Sequence, residues 1–158
     1  MCAASAVAES LPFVDEHSVE VAASPEATWE AVLRTTESSL ASRRAEVGAR
    51  LLGCEDAVGS GPRPLSSGST IPGFRVEVAD AQRELALVGR HRFSRYALIF
   101  RLDPDPGGVR LGAETRAEFP GLRGRAYRAM VIGTGMHVLV TRRLLEASRR
   151  RAERPAAG

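Results

Sequence analysis

The chain has 158 residues, a formal net charge of +3 and 22 basic residues, all of them arginine. A chain of this length fits one domain with its own hydrophobic core. The opening residues MCAASAVAES contain no basic residue and no long apolar run, so they do not resemble a secretory signal, and we expect a cytoplasmic protein. The two cysteines, Cys2 and Cys54, are too few for a disulfide framework and are expected to be reduced thiols.

The charges are distributed unevenly along the chain. Six acidic residues and no arginine precede Arg34, whereas residues 123–154 contain nine arginines and two glutamates. Because opposite charges attract, we expect the first elements of the fold to lie beside the last one.

Two classes of partner are disfavoured. The longest apolar window, residues 129–140, is interrupted by Gly133, Gly135 and His137 and is shorter than the ~20 residues of a membrane span. The arginines at 149–151 lack the interleaved aromatic residues of many nucleic-acid sites. We therefore expect neither an integral membrane segment nor a nucleic-acid partner.

The chain order begins with a strand and a helix. Residues 13–22 alternate apolar and polar side chains, as a strand does. Ser24 can cap a helix and Pro25 suits its first position, so a helix is expected over residues 24–34. His17, beside acidic residues in the strand, is expected at the surface.

A weaker helix and a long loop follow. The helix is expected over residues 42–52, where Gly53 would end it, with Val47, Leu51 and Leu52 facing inward. Residues 53–73 are rich in Gly, Pro and Ser, which predicts a loop with at most a short strand around Thr70. A loop of this length often acts as a mobile lid.

The second half of the chain predicts an antiparallel sheet. Apolar and polar side chains alternate in four stretches, and short turn-forming segments separate them. Such short connections join neighbouring antiparallel strands as hairpins, with one apolar and one charged face. The four strands begin near Phe74, Leu85, Tyr96 and Val109.

The C-terminal stretch predicts one long amphipathic helix over residues 124–151. A stripe on one side is expected to face the sheet, and it contains Tyr127, Met130, Val131, Thr134, Val138, Thr141 and Leu145. The opposite side is also apolar, at Ile132, Met136 and Leu139. The N-terminal helices or a second subunit could cover that side. We favour the N-terminal helices and hence a monomer, with a homodimer as the alternative.

The order of these elements matches a known pattern. The stretch VEVAASPEATWEAV at 19–32 joins a strand to a Pro-started helix bearing a tryptophan, and the stretches FRVEVADAQRELALVGRHRF and YALIFRLDP precede the closing helix. The chain thus resembles the START/Bet v1-like (SRPBCC) helix-grip superfamily, which includes polyketide cyclase-like proteins. The resemblance implies an α+β domain over residues 13–152, with flexible ends at 1–12 and 153–158. Residues 53–73 depart from the pattern, since they show a loop where two strands are expected.

In that superfamily a curved antiparallel sheet wraps around the last helix, and an apolar cavity between them holds lipids, sterols or polyketides. Small side chains at 112–117 and 133–135 would leave room for such a cavity here, although tight contact between helix and sheet is the alternative. The residues expected to bind the ligand are His91, Tyr96, Leu98, Phe100, Ala113, Thr115, Tyr127, Met130, Thr134 and His137.

The sequence favours a non-catalytic protein that binds a small hydrophobic ligand. The alternative is a cyclase/aromatase-like enzyme that uses His91, His137 or Tyr96 as acid or base. Binding is preferred because the sequence shows no carboxylate or metal partner for these residues, and no metal site or cofactor is expected. A third hypothesis is a protein-interaction module that binds no ligand.

Overall fold

One antiparallel sheet organises the molecule. The computed structural model describes residues 6–155. Six strands lie in the order β1-β6-β5-β4-β3-β2, and each neighbouring pair is antiparallel. The elements are α1 Ala6–Ser10, β1 Phe13–Val21, α2 Pro25–Leu40, α3 Arg43–Leu52, β2 Thr70–Ile71, β3 Phe74–Asp80, β4 Glu84–His91, β5 Ser94–Asp105, β6 Gly108–Glu118, α4 Gly121–Val131 and α5 Met136–Ala152. The predicted α+β class and antiparallel sheet are confirmed.

Side-chain caps begin the first two long helices where the sequence places them. The Ala27 amide donates to Ser24 Oγ at 3.2 Å, and the Ala45 amide donates to Ser42 Oγ at 3.2 Å. Each cap satisfies an amide that has no partner within its own helix. α2 continues to Leu40 rather than ending near Arg34. The short strand predicted around Thr70 is β2.

The main core lies between the inner face of the sheet and the pair α2–α5. Val32 and Leu33 of α2 and Leu144 and Leu145 of α5 belong to one buried cluster with Phe100 and other sheet residues. The acidic first part and the basic last part of the chain are therefore neighbours, as predicted. Apolar burial joins the two helices, and burial of such side chains stabilises a fold by about 25 cal/mol per Å2.

The outer face of the sheet carries a second, smaller cluster. Residues 6–10, which the sequence assigned to a flexible end, form α1 and pack on this face, where Ala8 and Leu11 are buried. Arg116 donates to the carbonyl oxygens of Glu9 and Leu11 at 3.0 Å each. Of the flexible ends predicted at 1–12 and 153–158, residues 1–5 and 156–158 lie outside the described residues.

The alternation in β3 breaks at a bulge. The register shifts between Val76 and Val78, so Val76 joins the main core whereas Val78 joins the outer cluster. A bulge inserts one extra residue and turns the following side chains to the other face. The expected single-face alternation of Phe74, Val76 and Val78 is therefore wrong at Val78.

The C-terminal helix is broken, which corrects the expected continuous helix over 124–151. α4 ends at Val131 and α5 begins at Met136, with Gly135 between them in the left-handed region at φ 68°. Glycine adopts this conformation without the steric cost that other residues pay. Thr134 Oγ1 donates to the Met130 carbonyl at 2.5 Å, so the side chain satisfies an acceptor at the end of α4.

Two expectations about helix faces are also wrong. Val47 and Leu51 of α3, expected inward, are exposed, and Ala49 is the buried residue of that helix. Met136 and Leu139 of α5 are exposed as well, so the N-terminal helices do not cover them.

Among residues 6–155, no helix combines the length and the apolar content needed to cross a membrane.

Candidate functional site

A cavity of about 470 Å3 opens at the end of the sheet where β4 turns into β5. The sheet forms its floor, α3 forms one wall, and the α4–α5 segment forms the other. The residues that α3 contributes are small or aliphatic: Ala45, Gly48, Ala49 and Leu52. Because these side chains are short, they leave the volume unfilled. The structure therefore has a cavity between the helices and the sheet, and the alternative of tight contact without a cavity does not apply here.

Six of the ten residues predicted to bind a ligand line this cavity. They are His91, Tyr96, Leu98, Thr115, Tyr127 and His137. The other four lie elsewhere. Phe100 and Ala113 are farther along the sheet in the packed core, Met130 is exposed on the outward face of α4, and Thr134 is exposed in the break between α4 and α5. Those four residues do not line the cavity.

Aromatic rings form the deep corner of the cavity. The ring of Tyr127 lies 4.8 Å from His91, edge to face, and 5.7 Å from Phe93, stacked. The ring of Tyr96 lies 5.5 Å from His91 and 5.2 Å from Phe74. Such pairs contribute about 0.5–1.5 kcal/mol each beyond their buried area. This cluster, His91, Phe93, Tyr96 and Tyr127 with Phe74, joins α4 to the sheet.

Tyr96 is fixed by its hydroxyl. The Tyr96 hydroxyl donates to the Gly73 carbonyl at 2.6 Å. The Cys54 sulfur lies 3.7 Å from the Tyr96 hydroxyl oxygen. The ring lies against Gly89, where a Cβ would come within 2.3 Å of it, so only glycine leaves room for this placement. Burial raises the pKa of the Tyr96 phenol above its ordinary value. The group therefore stays protonated and is a poor base.

His91 offers a neutral hydrogen-bond donor. Its Nδ1 accepts the Phe93 amide hydrogen at 3.1 Å, which leaves the proton of the neutral ring on Nε2. Burial lowers the pKa of His91, so the neutral ring is favoured. The Nε2–H group can then donate to an acceptor oxygen on a ligand.

Asp15 was missed by the sequence analysis, although it pairs with a predicted residue. His137 Nε2 lies 2.8 Å from Asp15 Oδ2, and His17 Nε2 lies 3.2 Å from the same oxygen. Counting in steps of two back from Val19 and Val21 would have placed His17 and Asp15 on the apolar face. His17 is half-buried there, which corrects its expected surface position.

Two polar atoms near this pair lack partners. Asp15 Oδ1 and Thr115 Oγ1 are buried without a hydrogen bond to any residue in the described range, and Asp15 and Thr115 face each other in the β1–β6 register. Buried polar atoms are usually hydrogen-bonded, because an unmade bond costs about 1–3 kcal/mol. Thr115 and His137 line the cavity, so this side of it is polar.

Within residues 6–155, no group of three or more His, Cys, Asp or Glu side chains could hold a metal ion.

Comparison with known proteins gives a likeness in fold. No family model and no curated protein matches the chain. BexL, a di-domain ARO/CYC from the BE-7585A biosynthetic pathway, superposes with a TM-score of 0.58 at 11% identity, over 90% of this chain and 50% of BexL. The chain thus spans about half of that protein.

Two further solved structures match this chain over nearly the whole of their own length. Protein CV1439 from Chromobacterium violaceum has a TM-score of 0.55 at 12% identity, over 91% of this chain and 100% of CV1439. Ara h 8.0201 has a TM-score of 0.52 at 8% identity, over 87% of this chain and 95% of Ara h 8.0201. Because the sequence identities are this low, the matches show a similar fold and do not show a shared activity. The chain has the Bet v 1-like, polyketide cyclase-like helix-grip fold that the sequence resemblance predicted.

Proposed function

We propose that the cavity binds a small, mainly apolar ligand that carries at least one oxygen acceptor. The observation that carries this proposal is the cavity itself: about 470 Å3 of space with mostly aliphatic and aromatic walls and a few polar groups. Ligand sites typically have this composition and a volume of about 300–1,000 Å3. His91 Nε2–H and the Thr115 hydroxyl supply donors to a carbonyl or hydroxyl oxygen.

Native mass spectrometry of protein purified from its own host tests the proposal directly. A retained molecule of low mass would support it and name the ligand class. The neutral dye N-phenyl-1-naphthylamine gives a second measurement, because its fluorescence rises in an apolar site. Wild-type protein is expected to bind the dye.

Gly48 offers a matched pair of variants for this test. A Cβ at Gly48 would have no atom within 4 Å, and the residue lines the cavity. Gly48→Leu adds a side chain that fills part of the space, whereas Gly48→Ala adds a single methyl group together with the helix preference of alanine. Dye binding should fall in Gly48→Leu and persist in Gly48→Ala. Equal binding by both variants, or no retained molecule and no dye binding, would favour the interaction module without a ligand.

The His137–Asp15 pair favours a second candidate, acid–base catalysis on the bound ligand. The carboxylate orients the imidazole through Nε2, and the other ring nitrogen, Nδ1, lies 3.4 Å from the Val131 carbonyl oxygen. A ligand would have to replace that long contact in order to exchange a proton with Nδ1. The fold thus brings a carboxylate partner to His137, which the sequence analysis did not identify. If the retained molecule is chemically converted during incubation, His137→Gln should stop the conversion while binding persists. An unchanged conversion rate in that variant would reject this candidate.

A further inference from the structure

The outward face of α4 is an uncovered apolar stripe. Leu122, Ala126, Ala129 and Met130 recur at the spacing that makes one face of a helix, and all four are exposed. Leu122 is 80% exposed and Met130 59% exposed. The opposite face holds Gly124, the only buried residue of α4, and the cavity residues Tyr127 and Val131. A helix of a soluble domain normally hides such a stripe, so this one requires another explanation.

Arginines border the stripe on both sides. Arg123, Arg125 and Arg128 form no ion pair with any partner in the part of the chain that the structure describes. Residues 119–145 contain five arginines and no acidic residue at all. The segment is therefore a positively charged region with exposed apolar side chains among the charges.

The apolar surface continues onto the start of α5. Leu139 is exposed there by 46%, and Met136 and Val140, which also line the rim of the cavity, are exposed by 58% and 41%. Ten large hydrophobic side chains are exposed among the described residues, and five of them lie in α4 and the first turns of α5. We call this region, residues 122–140, the α4–α5 surface.

We propose that the α4–α5 surface docks on an anionic lipid bilayer. An interfacial helix lies in the plane of the membrane, with its apolar stripe among the acyl chains and its basic residues at the level of the headgroups. Leu122 and Met130 suit the first role. Arg123 and Arg125 suit the second, because long basic side chains can extend from the edge of an apolar face towards charged headgroups.

Charge argues against a second copy of the chain as the occupant. A two-fold symmetric contact would place this surface against itself. Because residues 119–145 contain no acidic residue, arginines would then face arginines without a partner in the same segment. An anionic bilayer supplies both the negative charge and a continuous apolar phase, and the observed stripe needs both.

The position of the surface gives docking a consequence for the cavity. Tyr127 and Val131 line the cavity from the inner side of α4, while Leu122 and Met130 project from its outer side. Docking would therefore place the lipid next to the cavity, with α4 between them at Tyr127 and Val131. The docking proposal does not require a ligand in the cavity, so vesicle binding and dye binding can fail independently.

Vesicle co-sedimentation tests the proposal on the full chain. One set of vesicles contains phosphatidylcholine alone, and the other contains equal parts of phosphatidylcholine and phosphatidylglycerol. The wild type should bind the anionic vesicles and bind the neutral ones much more weakly. The triple variant Arg123→Gln/Arg125→Gln/Arg128→Gln should lose roughly a hundredfold in partitioning, as expected for three basic residues near an anionic surface.

Two further variants separate charge from insertion. The double variant Leu122→Ser/Met130→Ser keeps every charge and should also bind several-fold more weakly, because it removes the inserted side chains. The control Arg83→Gln/Arg110→Gln/Arg151→Gln removes the same charge from the opposite end of the strands and should bind about as the wild type does. All these positions are exposed, and circular dichroism checks that each variant is folded.

Three results would overturn the proposal. The first is no binding of the wild type to anionic vesicles. The second is an equal loss in the control triple variant, which would indicate attraction by net charge alone. The third is binding of the wild type to soluble polyglutamate without binding to vesicles, which would indicate an acidic protein partner instead.

Discussion

The two ends of the inner sheet face differ in how completely the helices fill them. Near α2 and α5, bulky side chains such as Val32 and Leu145 meet Phe100 and leave these residues almost fully buried. Near α3 and α4, each helix buries a single residue, Ala49 in one and Gly124 in the other, and a cavity remains. The same sheet thus supports a packed half and an open half, and the size of the helix side chains decides which one forms.

The largest effect is expected from one substitution made in both halves. Leu145 is 1% exposed in the packed half, and Leu51 is 74% exposed on α3. Leu145→Ala should lower the free energy of unfolding by about 2–5 kcal/mol because it leaves a cavity in the core. Leu51→Ala should change it by no more than about 0.5 kcal/mol. Urea denaturation measures both, and equal losses would mean that the halves do not differ as described.

A smaller effect is expected at the cavity wall. Tyr96→Phe removes the hydroxyl that donates to the Gly73 carbonyl and leaves that acceptor without its partner. The free energy of unfolding should fall by about 1–3 kcal/mol. Tyr127→Phe is the matched control, because the Tyr127 hydroxyl makes no hydrogen bond with any residue between 6 and 155. A loss as large in the control would show that the Gly73 contact is not what stabilises this wall.

Gly48→Ala should stabilise the open half slightly. The new methyl group meets no atom within 4 Å, and alanine favours a helix over glycine by about 1 kcal/mol. The thermal midpoint should therefore rise by a few degrees at most. A lower midpoint would show that α3 needs a glycine at this position, and hence that the open half is packed more tightly than the cavity indicates.

The smallest effect is a pH dependence that comes from the aromatic corner. Burial holds the pKa of His91 below its ordinary value of 6.5, so the unfolded chain binds a proton at this residue more readily than the folded one. The contribution of His91 to stability should be complete above pH 6.5 and decline as the pH falls below it. His91→Asn keeps an acceptor for the Phe93 amide and removes the titration. Denaturation at several pH values should show a shallower acid decline in the variant, and an identical decline would contradict this account.

Periodicity predicted the fold well because burial follows it directly. The alternation in β5 and β6, the cap at Ser24 and the end of α3 at Gly53 each reflect a local rule, and the structure confirms them. Such features depend on a few neighbouring residues, so they can be recognised before the fold is known.

The parts that were missed depend on distant neighbours. The break at Gly135 needs carbonyls at the end of α4 to find partners in Thr134 and His137, and helical spacing alone does not reveal this. The pairing of Asp15 with His137 joins residues 122 positions apart. Strand alternation or the helix stripe predicted the six residues that line the cavity, whereas Thr134 lies in the break between the two helices and Met130 lies on the outward face of α4.

The pairing of β1 with β6 also determines when the fold can close during synthesis. β3, β4, β5 and β6 follow one another along the chain and can pair as soon as each emerges, whereas β1 is made first and must wait for β6. Phe13 of β1 pairs with Arg116 of β6, 103 positions later, and at about 5–20 residues per second that length of chain takes roughly ten seconds to appear. Throughout that interval the first strand and α2 lack their final neighbours. The acidic residues of β1 would then keep the unpaired strand from aggregating, since like charges discourage association between incompletely synthesised chains.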